Sequence, residues 1–167
     1  GYYYCPGEMM ATNDQWRQPL QVWRSYFQGW IARPNPKAQM LASVMFDLRP
    51  VAGDVRLFEG LKHETVEAAR KNSIFRAHLV ANSLGHQPPL SLLRGFALIR
   101  SGEHKNTLDL KLNGIVPIVD LARVYALDAG REEVNTRDRI VAAKEAGSLS
   151  ASGADDLADA YDTIARV

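Results

Sequence analysis

Charged side chains stand at a point where the sequence changes its pattern, and they are its first candidates for chemistry. Asp109 and Lys111 alternate with leucines and precede Asn113-Gly114, a turn signal, after which the sequence becomes almost wholly apolar. An acid and a lysine side by side at the start of a buried helix can hold a polar ligand. They can equally form a solvated ion pair on a strand-turn-helix unit, and both interpretations stay open.

Two acid–arginine pairs are further candidates. Asp47 and Arg49 lie at the end of a helical stripe, shortly before Pro50. Asp120 and Arg123 interrupt the apolar helix, three residues apart and so on neighbouring faces. Each pair can face a cleft, or it can be a salt bridge at the end of a helix.

The motifs of several enzyme classes are missing. The sequence contains no phosphate-binding G-x-x-x-x-G-K-[ST], no G-x-G-x-x-G after a strand and no G-x-S-x-G elbow. Neither the single cysteine nor the scattered histidines have a partner at metal-ligand spacing; these residues are Cys5, His63, His78, His86 and His104. We therefore predict no metal site and no complete catalytic set, and we do not expect this chain to be active as an enzyme on its own.

Length and composition suit one globular domain. The chain has 167 residues, of which 46% are hydrophobic and 23% are charged, enough to bury a core. A net charge of +1 gives no electrostatic argument for nucleic acid or an anionic membrane. The lone cysteine indicates a reducing compartment, so we expect the cytoplasm. The chain begins with Gly1 rather than methionine, and we expect it to be a piece of a longer protein.

Apolar stripes at helical spacing predict a mainly α fold. We expect N-caps at Asn35, Asp54, Asn135 or Thr136, and Ser152, with a helix break near 71–73. The helix after Gly114 is apolar all round and should lie in the core, as should the tryptophan-rich face of the first helix. Two extended runs, Leu92–Arg100 and Asn106–Leu112, predict a hairpin. The predicted fold is a helical bundle with one inserted β-hairpin, a single domain over residues 1–167 with residues 1–18 as an extended lead-in.

Several motifs occur in the order found in a known bacterial family. The longest are C-P-G-E-M-M-A-T-N-D-Q-W-R (Cys5–Arg17), W-R-S-Y-F-Q-G-W-I (Trp23–Ile31), M-F-D-L-R-P-V-A-G-D (Met45–Asp54), P-I-V-D-L-A-R-V-Y-A-L (Pro117–Leu127) and N-T-R-D-R-I (Asn135–Ile140). With them, nearly the whole chain resembles the putative nucleotidyltransferase substrate-binding domain family. A more distant similarity is to the uridylyltransferases of PII signalling proteins and the adenylyltransferases of glutamine synthetase. One departure is Glu8, where family members often carry Gly or Asn.

The resemblance implies the substrate-binding domain of a signalling nucleotidyltransferase, which transfers NMP from an NTP to a protein or a small acceptor. In that family a Gly-Ser turn and a D-x-D pair hold Mg²⁺ against the nucleotide. Here Gly147-Ser148 is followed by L-S-A-S-G, so we expect the catalytic core, with its Mg²⁺ and NTP, to lie upstream. In such proteins the core often follows CBS or cyclic-nucleotide-binding domains.

The resemblance also suggests roles for the charged candidates, which would face the active-site cleft; they are Asp47, Arg49, Asp109, Lys111 and Arg123. Lys111 and Arg49 would hold a phosphate or an acidic acceptor, because a basic group favours the transferring anion. Asp109 would orient the acceptor or contribute indirectly to the metal site. The partners implied by the resemblance are the upstream core and a protein acceptor. Separately, an exposed apolar strip on the tryptophan-rich helix would allow a second copy of the chain to bind. The alternative is a non-catalytic protein-interaction or relay module coupled to the upstream CBS or cyclic-nucleotide-binding domains, in which the charged pairs are structural.

Overall fold

A computed structural model describes residues 3, 6–86, 89–90 and 97–167. Within them the chain forms a helical bundle, which confirms the mainly α prediction. A 3-10 turn, Asp14–Trp16, precedes the first helix, and a π-helical turn, Lys111–Ile115, leads into the fifth. The helices are α1 (Leu20–Ala32), α2 (Pro36–Met45), α3 (Val55–Lys71), α4 (Ser73–Leu84), α5 (Val116–Asp128), α6 (Thr136–Glu145) and α7 (Ala151–Ala165).

Side-chain caps fix where most of these helices begin. Asn35 accepts a hydrogen bond from the Ala38 amide at 2.9 Å and is followed by proline at the first helical position. Asp54 and Asn135 cap α3 and α6 as predicted. Ser150 rather than Ser152 caps α7, because its hydroxyl accepts the Gly153 amide at 3.1 Å.

The prediction of an inserted β-hairpin is wrong, since the described residues contain no β-strand. Part of the first proposed strand, residues 92–96, lies outside the described residues. Beyond it, Ile99 bonds through its backbone to Asn106 and Thr107, which closes a turn without extending into a ladder. Asp109 accepts the Leu112 amide at 2.8 Å, so the alternating leucines enter a helical turn instead of a strand.

The fifth helix lies at the centre of the bundle. It packs against α3, α4, α6 and α7, which confirms that the helix with apolar residues all round is a core helix. The aromatic residues of α1 join the same core as α5, and there Phe27 contacts Trp30 and Phe46 edge-on and Phe46 contacts Phe75. None of the described helices is long and apolar enough to cross a bilayer.

Candidate functional site

A cleft of about 470 Å³ opens between α2, α4 and α5. Its walls are mainly apolar and come from α2, from the start of α5 and from the residue before it; they are Met40, Val44, Ile115, Val116 and Val119. Polar groups gather elsewhere on its lining; they are Ser43, Asp47, Asn82, His86, Asp120 and Arg123. The volume and the mixture of walls suit a small molecule.

The carboxylate of Asp47 forms the charged end of this cleft. Asp47 follows α2, where its backbone N–H donates to the Val44 carbonyl at 3.1 Å. Arg123 donates to it twice, through Nε at 3.2 Å and Nη2 at 2.7 Å. Arg139, on α6, reaches the same carboxylate through Nη2 at 2.7 Å. One acidic group thus joins three parts of the bundle.

Asp120 completes the hydrogen bonding of Arg123 from the preceding turn of α5, since Arg123 Nη1 donates to Asp120 Oδ1. The carboxylates are the accessible members of this network. The side chain of Asp47 is 36% exposed and that of Asp120 15%, against 6% for Arg123 and 3% for Arg139. A molecule that enters the cleft would therefore contact the carboxylate oxygens first, because the guanidinium groups lie behind them.

Lys62 lies deeper, under the end of α2. Its Nζ donates to the Phe46 carbonyl at 2.7 Å, and Arg139 Nη2 approaches the same oxygen at 3.2 Å. Burial lowers the pKa of Lys62 to about 8, and the positive charge of Arg139 contributes to that decrease. The amine of Lys62 therefore loses its proton at a lower pH than an ordinary lysine does.

The pKa values of the network follow from burial and pairing. For Asp47, burial is the largest single effect and raises the pKa, yet the bonds and charges of Arg123 and Arg139 together hold it below its ordinary value. For Arg123, the cost of burial is exceeded by Asp47 and Asp120, so its pKa is raised. For Arg139, burial prevails and the pKa is lowered. Asp47 consequently stays ionised well into the acid range.

The structure brings together only two of the predicted site residues, Asp47 and Arg123. Arg49 is exposed and lines a separate groove of about 310 Å³ with Trp23 and Leu57, so Asp47 pairs with Arg123 and Arg139 instead of Arg49. None of the other predicted site residues lines the cleft.

Asp109 and Lys111 do not form an ion pair with each other, which was one of the two interpretations left open by the sequence. The carboxylate of Asp109 accepts the Leu112 amide and, at 3.1 Å, the side-chain amide of Asn113. Lys111 is exposed and makes no ion pair within the described part of the chain. The ligand-binding roles suggested for Arg49, Asp109 and Lys111 stay predictions.

Sequence reasoning missed Lys62 and Arg139, although each carried a signal. Arg139 lies among Thr136, Ile140 and Ala143, the spacing of the buried face of α6. Lys62 shares the buried face of α3 in the same way. A long cation on an apolar stripe needs a buried partner, and that requirement predicts a network of this kind.

The described residues do not fit a metal ion. They contain no group of three histidine, cysteine, aspartate or glutamate side chains placed to hold one. The two carboxylates that line the cleft, Asp47 and Asp120, are both paired with the guanidinium group of Arg123.

Two family models match the chain. The model described as putative nucleotidyltransferase substrate binding domain matches residues 73–167, more than half of the sequence. The model described as putative nucleotidyltransferase DUF294 matches residues 1–37. No curated protein and no solved structure matches the chain. Two walls of the cleft, α4 and α5, lie inside the first match, whereas α2 begins at the end of the second match and Asp47 lies between the two.

Proposed function

The chain belongs to the putative nucleotidyltransferase substrate binding domain family, and from that premise we propose that its α2–α4–α5 cleft holds the acceptor of a nucleotidyl transfer. The observation that carries the proposal is the cleft itself. It has the volume of a small-molecule site, or of one inserted side chain of a protein acceptor, and polar groups on an otherwise apolar lining.

The reaction proposed is the transfer of NMP from an NTP, as in the uridylyltransferases. An acceptor hydroxyl oxygen forms a bond to the α-phosphorus, and the bond from that phosphorus to the bridging oxygen of pyrophosphate breaks. Pyrophosphate leaves with the electron pair, and the hydroxyl proton passes to a base. The nucleotide and its Mg²⁺ are assigned to a nucleotidyltransferase region, because the cleft residues do not fit a metal.

Within this scheme the cleft supplies position rather than proton transfer. A carboxylate whose pKa is held low is a weak base, so Asp47 is assigned to accept a hydrogen bond from the acceptor. Arg123 and Arg139 fix its orientation, because three donated bonds leave that carboxylate little freedom to rotate. Holding the acceptor in one pose is a recognised source of rate enhancement.

Labelled nucleotide tests the proposal directly. The protein carrying both this domain and its nucleotidyltransferase region is incubated with Mg²⁺, each α-labelled NTP in turn, and extract of the source cells. Val44→Phe narrows the cleft at a residue that is 49% exposed, so the fold should tolerate it. Val141→Phe is the matched control, since Val141 is 54% exposed on α6 and does not line the cleft.

We expect the label to reach an acceptor in the unmodified protein and in Val141→Phe, and to fall about tenfold or more in Val44→Phe. Equal labelling by the two variants would exclude the cleft as the acceptor site. No transferred label from the unmodified protein would exclude the transfer reaction.

A further inference from the structure

A second groove, which Arg49 lines, lies apart from the α2–α4–α5 cleft. It measures about 310 Å³ and opens between α1, the first half of α3 and the residues that follow α2. None of the residues that line this groove also lines the α2–α4–α5 cleft. Its volume is at the lower end of the range for small-molecule sites, so a ligand of one ring and a short chain would fit.

The walls of this groove, the Trp23–Arg49 groove, are apolar and partly aromatic; they are Leu20, Trp23, Leu48, Leu57, Phe58 and Leu61. Leu61 is buried and Leu57 is 56% exposed, so the walls run from the core to the surface. Trp23 and Phe58 are partly exposed. Apolar surface that stays accessible in this way favours a ring or an alkyl group.

Arg49 supplies the one charge on the described lining of the Trp23–Arg49 groove. It is exposed, and Gln18, the other polar residue there, is uncharged. Arg49 has no ion-pair partner within the part of the chain that the structure describes, whereas three arginines on neighbouring elements have one; they are Arg17 with Asp14, Arg24 with Glu64 and Arg56 with Asp54. An anion would therefore meet a guanidinium group that none of the described carboxylates already holds.

Charge and shape together select the class of ligand. A guanidinium group binds a carboxylate through two parallel hydrogen bonds, and it repels an amine. One arginine compensates one negative charge, whereas a phosphate monoester carries about 1.5 to 2. We propose that the Trp23–Arg49 groove binds a small molecule with an apolar body of about one ring and a single carboxylate, which Arg49 holds. This inference concerns a separate site and does not depend on the proposed function.

Three probes with one skeleton and different charge test the inference: 3-phenylpropanoate, 3-phenylpropylamine and 3-phenylpropanol. The chain is labelled with ¹⁵N at its tryptophan indoles and titrated with each probe. The Trp23 signal, identified by its loss in Trp23→Phe, reports occupation, and the signal of the buried Trp30, which does not line the groove, is the reference. We expect 3-phenylpropanoate to bind about threefold or more tightly than the other two probes, a gain typical of an exposed ion pair.

Matched variants assign this preference to its residues. Arg49→Gln should abolish the preference for the carboxylate, and Arg33→Gln should keep it, because Arg33 is also exposed but does not line the groove. Leu57→Ala should weaken the binding of all three probes about twofold or more, since it removes part of the apolar wall. Leu84→Ala is its control, because Leu84 is 66% exposed on α4 and does not line the groove.

Three results would overturn the inference. Equal affinity for the three probes, or tighter binding of the amine, would exclude the carboxylate class. A preference for 3-phenylpropanoate that persists in Arg49→Gln would show that Arg49 does not hold the ligand. A Trp23 signal that none of the probes shifts would exclude the groove as a site for such molecules. Each result would leave the proposed acceptor site standing, because the Val44→Phe experiment tests a different set of lining residues.

Discussion

Asp47 Oδ2 lies 2.7 Å from Arg123 Nη2, although the two residues are 76 positions apart in the chain. The contact ties the end of α2 to the middle of α5, and Arg139 extends it to α6. Because the arginines are buried and the aspartate is partly exposed, the charged end of the cleft is held in place from behind. The same carboxylate thus serves the fold and, in our proposal, the ligand.

Replacing Asp47 should destabilise the domain strongly. Asp47→Asn keeps the volume of the side chain but leaves the buried Arg139 without its ion-pair partner and Arg123 with Asp120 alone, so we expect a loss of about 3 kcal/mol in the free energy of unfolding. Asp155→Asn is the matched control, because Asp155 pairs with Lys144 at the surface and should cost less than about 1 kcal/mol. Urea denaturation measures the free energy of unfolding of both variants. Equal losses would show that pairing with the buried arginines stabilises the domain no more than a surface ion pair does.

Stability should rise with pH over the range set by Lys62. Its pKa is about 8 in the folded chain, against 10.5 for an ordinary lysine. Between these values the unfolded chain holds a proton that the folded chain has released, so the free energy of unfolding increases from pH 8 toward 10.5. Below pH 8 Lys62 is protonated in both the folded and the unfolded chain, so the cost of burying its charge lowers the free energy of unfolding by its full amount.

Lys62→Met tests this assignment. Methionine is similar in length and has no charge to bury, so the contribution of position 62 to the pH dependence should disappear. Urea titrations of the two proteins at several pH values supply the comparison, with the difference in slope between pH 8 and 10.5 as the readout. Parallel pH profiles in the two proteins would show that Lys62 is not the titrating group.

Glu8 adopts a backbone conformation that favours glycine, with φ of 56°. Its carbonyl is held there by Trp16 Nε1 at 2.7 Å and by Asn13 Nδ2 at 3.2 Å. We expect Glu8→Gly to stabilise the chain by about 0.5–1 kcal/mol. Glycine relieves the backbone strain of the folded state, and part of this gain is lost because glycine raises the conformational entropy of the unfolded chain.

Glu8→Ala is its control, since alanine removes the same carboxylate and keeps the strain. Thermal unfolding should show a Tm higher by about 2 °C for Glu8→Gly and nearly unchanged for Glu8→Ala. A similar gain from both would mean that the carboxylate, rather than the backbone, was unfavourable. The preference for Gly or Asn implied at this position by the family resemblance would then need another cause.

Local chemistry explains which features could be predicted from the sequence. Caps such as Asn35-Pro36 and Asp54 act within three residues, so the helices they begin could be read directly. The alternation of Leu108, Leu110 and Leu112 led to a wrong prediction of a β-strand. In the structure the Leu112 amide donates to the Asp109 side chain, and this segment enters a helical turn. The partners of Asp47 could not be read, because they depend on how α5 and α6 pack.

The most direct test of the proposed acceptor site measures nucleotide binding and NMP transfer separately. In the protein that carries the full nucleotidyltransferase region, the affinity for the NTP and the rate of NMP transfer are measured on Val44→Phe and Val141→Phe. We predict an unchanged NTP affinity in both variants, with transfer reduced about tenfold or more in Val44→Phe alone. If Val44→Phe lost NTP affinity as well as transfer, the nucleotide rather than the acceptor would lie in the cleft. If Val44→Phe transferred NMP at the unmodified rate, the cleft would not be the acceptor site.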